Sequence, residues 1–304
     1  MNTPSMIRMT QTCMLLLAAI LLTNPRPTVA AKPEDRGPAR VSVLNGKLTL
    51  TGLLWRPRGA GPFPAILLNH GSGRTREQLE RLGPYEQNAG VLGPLFARHG
   101  YVFLYLFRRG VGLSADQGTS AVDLMNNESE ARGQDARNEL QLQLLTTLDM
   151  SDATAGLTFL RALPEVDPRD VALVGHSFGG SLTVLMAERD SALRAAVVFS
   201  GAGYSWDRSP ALRRRLLDAV DHASVPFFFI HTENDYATAA GEGLDAELGR
   251  LGKPHRLKVY PPVGKTPDEG HDFLHLGVSI WEPEVFAFLD EYMQKRGSSR
   301  SRQR

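Results

Sequence analysis

The 304-residue chain has one cysteine, Cys13. It can form no internal disulfide, and a cysteine-built metal or disulfide scaffold is excluded. An excess of charge is lacking too: 34 Lys and Arg stand against 33 Asp and Glu, a formal +1. A nucleic-acid binder carries its basic charge on a folded face. Here five basic and no acidic residues gather in the last ten, Lys295 to Arg304, behind an acidic body. No nucleic-acid partner is expected, and 295–304 reads as a solvated, disordered tail. The apolar run Met14 to Leu22 has nine residues, too short to cross a bilayer.

That run follows Arg8 and precedes the small residues Ala30 and Ala31 after Thr28 and Val29. This is the three-part layout of a secretory signal peptide, with cleavage after Ala30 or Ala31. The expectation is a secreted or periplasmic protein with no stable membrane insertion after processing. Cys13 lies before the apolar run, so it does not read as a lipid-attachment site and is removed with the signal. With 42% hydrophobic and 22% charged residues, the rest has the composition of a globular domain rather than a disordered chain.

After a Pro- and charge-rich lead-in, Val41 to Leu44 and Lys47 to Trp55 are β-prone runs joined by Asn45-Gly46, a strong hairpin signal. Short apolar runs follow at Ala65 to Leu68, Tyr101 to Phe107, Val171 to Val174, Ala195 to Phe199, Val225 to Ile230 and Leu257 to Tyr260. Between them the pattern predicts helices near Gly90 to His99, Glu128 to Leu148, Ser151 to Leu163, Phe178 to Glu188, Pro210 to His222, Ala239 to Leu251 and Pro283 to Gln294. Continuously apolar strands alternating with helices imply an α/β fold: a mostly parallel eight-stranded sheet with helices on both faces. The helix at Glu128 to Leu148 reads as a small insertion after the fourth strand, and the stretch Ser200 to Ser224 leaves no room for a large lid. The predicted organisation is signal peptide 1–30, lead-in 31–40, catalytic domain 41–294 and basic tail 295–304.

The segment Val171-Ala172-Leu173-Val174-Gly175-His176-Ser177-Phe178-Gly179-Gly180 is a strand entering G-x-S-x-G and then a helix. A nucleophile on so tight a turn needs small neighbours. The turn also puts Ser177 at a helix N-terminus, where backbone N–H groups can meet a developing oxyanion. A serine hydroxyl needs a base, and the base needs a carboxylate to orient it. Both occur where later strands end, Asp235 in His231-Thr232-Glu233-Asn234-Asp235 and His271 in Gly270-His271-Asp272-Phe273. Glu233 competes with Asp235, and His231 and His275 compete with His271; the deeper turn position favours Asp235, and the loop after the last strand favours His271.

With these motifs in chain order Ser, Asp, His, the chain resembles the α/β-hydrolase superfamily, and within it the serine hydrolases of the dienelactone hydrolase and prolyl-oligopeptidase-like group. Pro64-Ala65-Ile66-Leu67-Leu68-Asn69-His70-Gly71-Ser72-Gly73 is similar to the family's third strand and His-Gly turn. Arg108-Arg109-Gly110-Val111-Gly112-Leu113-Ser114 is similar to its R-G-x-G-x-S turn. The resemblance implies Ser177 as nucleophile, Asp235 as acid, His271 as base, and the backbone N–H groups of Ser72 and Phe178 as the oxyanion hole. Dienelactone hydrolases proper use a cysteine nucleophile, whereas this position holds Ser177.

The expected activity is cleavage of a small-molecule carboxylic ester through an acyl-enzyme, with no cofactor. Tyr204, Trp206 and Tyr236 follow strand ends and are candidates to line the substrate pocket. Two alternatives share the fold. One is a prolyl-oligopeptidase-like peptidase, disfavoured because about forty residues before the hairpin provide no access-restricting domain. The other is a non-catalytic binding protein, disfavoured because all three triad residues are present. His271 and His275 stand at i and i+4 like the zinc ligands of H-E-x-x-H, but Asp272 replaces the glutamate and no third ligand is evident, so no metal is expected.

Overall fold

The computed structural model describes Met1 and residues 37–293. The expected signal peptide 1–30 and basic tail 295–304 therefore lie outside the described residues, Met1 aside. The strands are β1 (Ala39–Asn45), β2 (Leu48–Trp55), β3 (Phe63–Asn69), β4 (Val102–Leu106), β5 (Val166–His176), β6 (Ala196–Phe199), β7 (Phe227–Thr232) and β8 (His255–Tyr260). The helices are α1 (Arg76–Leu82), α2 (Tyr85–Arg98), α3 (Ala121–Thr146), α4 (Leu148–Arg161), α5 (Phe178–Arg189), α6 (Pro210–His222), α7 (Ala239–Arg250), α8 (Pro267–His271), α9 (Phe273–Leu276) and α10 (Val278–Tyr292), with a 3-10 segment at Gly112–Gln117.

The strands form one sheet in the order β1-β2-β4-β3-β5-β6-β7-β8. β1 and β2 pair antiparallel, as do β2 and β4; all other neighbours are parallel. Alternate side chains of a strand face opposite ways, so the sheet has a core on each face. Leu67, Leu173, Val198 and Phe229 pack with α3 to α7 on one side. Ile66, Leu68, Val174, Val197 and Phe228 pack with α2, α9 and α10 on the other. Burial on both faces is why these strands read as unbroken apolar runs.

The chain leaves β3 for β4 on one side and later returns to β5 on the other. In an open α/β sheet, ligands bind outside the carboxyl ends of strands at such a switch point. The segments leaving β3 and β5 there are His70-Gly71-Ser72 and His176-Ser177.

Several helices depart from the sequence expectation. α1, α8 and α9 span one or two turns, too short for a hydrophobic period to reveal. α3 begins at Ala121 rather than near Glu128, capped by Ser120, whose hydroxyl accepts from the Asp123 N–H at 3.2 Å. α10 begins at Val278, with Pro283 inside it rather than at its start. Its first turn is held by fully buried Trp281, whose indole N–H donates to the Leu274 carbonyl at 3.0 Å.

Candidate active site

Ser177 caps the N-terminus of α5 with φ 57° and ψ −120°, a region a non-glycine residue rarely adopts. The strained turn is fixed by its own backbone. The Ser177 N–H donates to the Phe199 carbonyl at 2.9 Å, and the Ser177 carbonyl accepts from Gly180 and Ser181. Gly179 lets α5 leave at close range: a Cβ there would lie 2.1 Å from the Asn69 carbonyl oxygen and 2.3 Å from that of His70.

The structure brings together the three side chains picked out by the sequence. His271 Nε2 lies 2.8 Å from Ser177 Oγ, and His271 Nδ1 lies 2.7 Å from Asp235 Oδ1. Glu233 is exposed, whereas the Asp235 side chain is fully buried. Burial pushes the Asp235 carboxyl up, but hydrogen bonds from His231 and His271 outweigh it and hold the group far below the usual carboxylate range. His231, weighed as a base from sequence, is instead the second imidazole on this carboxylate, its Nδ1 2.9 Å from Oδ2. The Tyr236 N–H donates to Oδ1 at 2.7 Å.

His271 ends α8, whose N-terminus carries a Thr266–Glu269 capping box. Its carbonyl accepts from His176 Nε2 at 2.8 Å and from the Ser200 hydroxyl at 3.1 Å. Burial, then the neighbouring His271 and His275, lowers the His176 pKa to about 3, so this ring stays neutral and keeps its proton on Nε2.

The His70-Gly71-Ser72 loop is clamped from behind. The Arg108 N–H donates to His70 Nε2 at 3.0 Å, so His70 carries its proton on Nδ1, 2.8 Å from the Gly71 carbonyl oxygen. Arg108 Nη2 donates to the same oxygen at 2.6 Å and to the His70 carbonyl at 2.8 Å. A peptide unit is planar and trans, so its N–H points opposite to its C=O. Holding Gly71 C=O on Arg108 and His70 turns the Ser72 N–H away from them. The Phe178 N–H, first in α5, has no acceptor within its own helix.

These groups open into a cavity of about 340 Å³ lined by Gly71, Ser72, Ser177 and Phe178 at its base. Tyr204 and Tyr236 line it as expected; their rings meet edge to face at 5.9 Å, and the Tyr236 ring lies 4.5 Å from that of His271. Trp206, expected beside them, lies outside the lining. It is buried against Gly243 of α7, because its side chain completes the core between α6 and α7. Helix α3 supplies another wall through Met125, Asn126, Arg137 and Gln141. Sequence reading missed these residues, and also Arg74 and Tyr85, because none belongs to a motif of the turns; His275, weighed from sequence as a rival base and as a metal ligand, and Asp272 line the cavity too.

A mostly parallel sheet with Ser, His and Asp gathered at its carboxyl edge is the architecture of an α/β-hydrolase. The dienelactone hydrolase family profile matches residues 81–275, more than half of the chain, and the chain belongs to that family of hydrolases. A candidate carboxymethylenebutenolidase of Synechocystis sp. is 22% identical over 73% of this chain and 82% of its own. Dipeptidyl-peptidase 5 of Porphyromonas endodontalis is 25% identical over 43% of this chain, which spans only 22% of that protein. Among solved structures, the dienelactone hydrolase of Anabaena variabilis superposes with TM-score 0.56 at 18% identity, over 85% of this chain and 100% of its own. Acylaminoacyl peptidase of Pyrococcus horikoshii gives 0.59 at 18% identity, over 85% of this chain but only 42% of the peptidase.

Proposed function

We propose that the chain is an exported serine hydrolase that cleaves small carboxylic esters. The observation that carries this is the unbroken hydrogen-bonded line Ser177–His271–Asp235 opening into the cavity at the switch point. Ser177 Oγ attacks the ester carbonyl while His271 Nε2 takes its proton. The buried, ionised Asp235 holds the imidazole in the tautomer that leaves Nε2 free and stabilises its cation. The Phe178 and Ser72 N–H groups receive the tetrahedral oxyanion, a contribution typically of about 10²–10³ in rate per donor. His271 then returns the proton to the departing alcohol, and water repeats the attack on the acyl-enzyme. No cofactor enters these steps.

Family membership and the match over 82% of a candidate carboxymethylenebutenolidase favour esters. The peptidase reading draws on the partial match to dipeptidyl-peptidase 5. A panel of p-nitrophenyl esters of increasing acyl length, run beside peptide p-nitroanilides, separates the two. Ester turnover that vanishes in Ser177→Ala is expected; turnover of the peptides alone overturns the ester assignment. Export rests on the layout of residues 1–31, and intact mass of the protein secreted by a bacterial host should place its N-terminus at Ala31 or Lys32.

A further inference from the structure

His231 is no rival to His271 as the base, yet the fold places it on the same carboxylate. In β7 it follows Phe227 and Phe229 on the face covered by α7, and it is 1% exposed. A Cβ on Gly241 of α7 would lie 2.7 Å from both its Cδ2 and its Nε2, so the helix backbone closes on the ring. We propose that His231 is a positioning residue for the reaction: by holding Asp235 it fixes the direction of His271, a role that rests on the hydrolase reading above.

An aspartate side chain does not fix the plane of its own carboxylate, because its terminal torsion is broad. Hydrogen bonds must do so, and the plane is held only when both oxygens are. Oδ1 of Asp235 accepts from His271 Nδ1 and from the Tyr236 N–H, both at 2.7 Å. Among the described residues, Oδ2 accepts from His231 Nδ1 alone, at 2.9 Å. Gly203, which also lies against the carboxylate, brings no donor: it has no side chain, and its N–H goes to the Ser200 carbonyl at 3.4 Å. Without His231 the carboxylate can turn about its Cβ–Cγ bond and carry Oδ1 out of line with His271.

The turn after β7 builds this contact locally. The Asp235 N–H donates to the Thr232 carbonyl at 3.1 Å, and the Glu233 N–H to that of Tyr260 at 2.9 Å. The chain thus folds back until Asp235 faces an imidazole of its own strand, four residues earlier. The ring meets the carboxylate through Nδ1, while its Nε2 is buried with no hydrogen-bond partner. A hydrogen on Nε2 would face no acceptor, so the ring carries its hydrogen on Nδ1. His231 does not line the cavity that holds Ser177, so it touches no substrate and acts only through Asp235. Its loss should therefore slow proton transfer between Ser177 and His271 and leave substrate binding as it is.

His231→Leu and His231→Asn test the role. The asparagine amide nitrogen hangs on Cγ where the imidazole carries Nδ1, whereas leucine fills space without a donor. The readouts are the rate at which a serine-reactive fluorophosphonate labels Ser177 and steady-state kinetics on a p-nitrophenyl ester, with a melting curve to show that each variant folds. His231→Leu should label and turn over about 10²-fold more slowly at nearly unchanged KM, as for a misplacement of about 1 Å, and His231→Asn should recover about tenfold of that loss. Parental rates in folded His231→Leu overturn the inference. Equal losses in the two variants, which mark a packing role, or a raised KM at full kcat, do so too. Should His231→Leu fail to fold, nitrogen-15 spectra of the histidine-labelled parent protein decide: the His231 hydrogen is expected on Nδ1, and a hydrogen on Nε2 overturns the inference. A parent protein left unlabelled at Ser177 overturns the serine-hydrolase reading and this inference with it, whereas a labelled parent matched by His231→Leu overturns this inference alone.

Discussion

Arg108 shows how a residue away from the reacting atoms can govern them. It is 2% exposed, paired with Asp149 at 2.8 Å, and its second branch grips the His70 and Gly71 carbonyls. Since the Gly71 carbonyl fixes the direction of the Ser72 N–H, loosening it should misaim this proposed oxyanion donor without touching the cavity. Arg108→Lys keeps a charge for Asp149 but loses the planar fork. Steady-state kinetics on a p-nitrophenyl ester should show kcat reduced about 10²-fold with KM nearly unchanged, as for a misplacement of about 1 Å. A raised KM with full kcat would contradict the clamp. Sequence alone marked His70 and Arg108 only as parts of two turn motifs. Their mutual hydrogen bonds cross from β3 to β4, which local pattern cannot reveal. Ser177, Asp235 and His271 were legible because each sits in a strand-end turn whose neighbours carry a signal. Trp206 was misjudged because an aromatic residue after a strand serves core and cavity alike.

At the level of elements, the approach of α5 to the end of β3 sets the site. Phe178 through Ala187 are all buried, so the helix cannot shift outward to relieve a clash. Gly179→Ala would drive a methyl into the Asn69 and His70 carbonyls. It should cost about 1–3 kcal/mol as overpacking does, read as a lowered midpoint in urea denaturation. The fraction that folds should lose activity, because the displaced carbonyls belong to the clamped loop; full activity at wild-type stability would contradict the packing argument. The central strands β3, β4, β6 and β7 were legible because burial on both faces writes them as apolar runs, whereas half-exposed β1 was marked by the Asn45-Gly46 hairpin signal. Helix boundaries were not legible: α3, capped by Ser120, starts seven residues before the periodic stretch, and Trp281 holds a turn ahead of Pro283.

For the whole molecule, the buried neutral histidines set the response to acid. Burial and, for His70, Arg108 lower both pKa values, with His176 at about 3 against about 6.5 for a free imidazole. Between those values the unfolded chain binds more protons than the native one, so stability rises with pH across this window and falls as pH drops through it. Asp235, held far below the usual range, adds stability that is fully present above about pH 3.9 and is lost only at lower pH. Asp149, whose carboxyl burial pushes up, acts in the opposite sense, one group against two histidines. The melting temperature should therefore fall between about pH 6.5 and 4, before Asp235 titrates. His176→Gln, which keeps a donor for the His271 carbonyl, should flatten part of that slope; a parent melting temperature constant over the range would contradict the account. The same two histidines border the chemistry on which everything else depends, the nucleophilic serine. That claim is tested most directly by intact-mass spectrometry after treatment with a serine-reactive fluorophosphonate. The account predicts one adduct, mapped to Ser177, on the parent protein and none on Ser177→Ala; labelling of both proteins, or of neither, would contradict it.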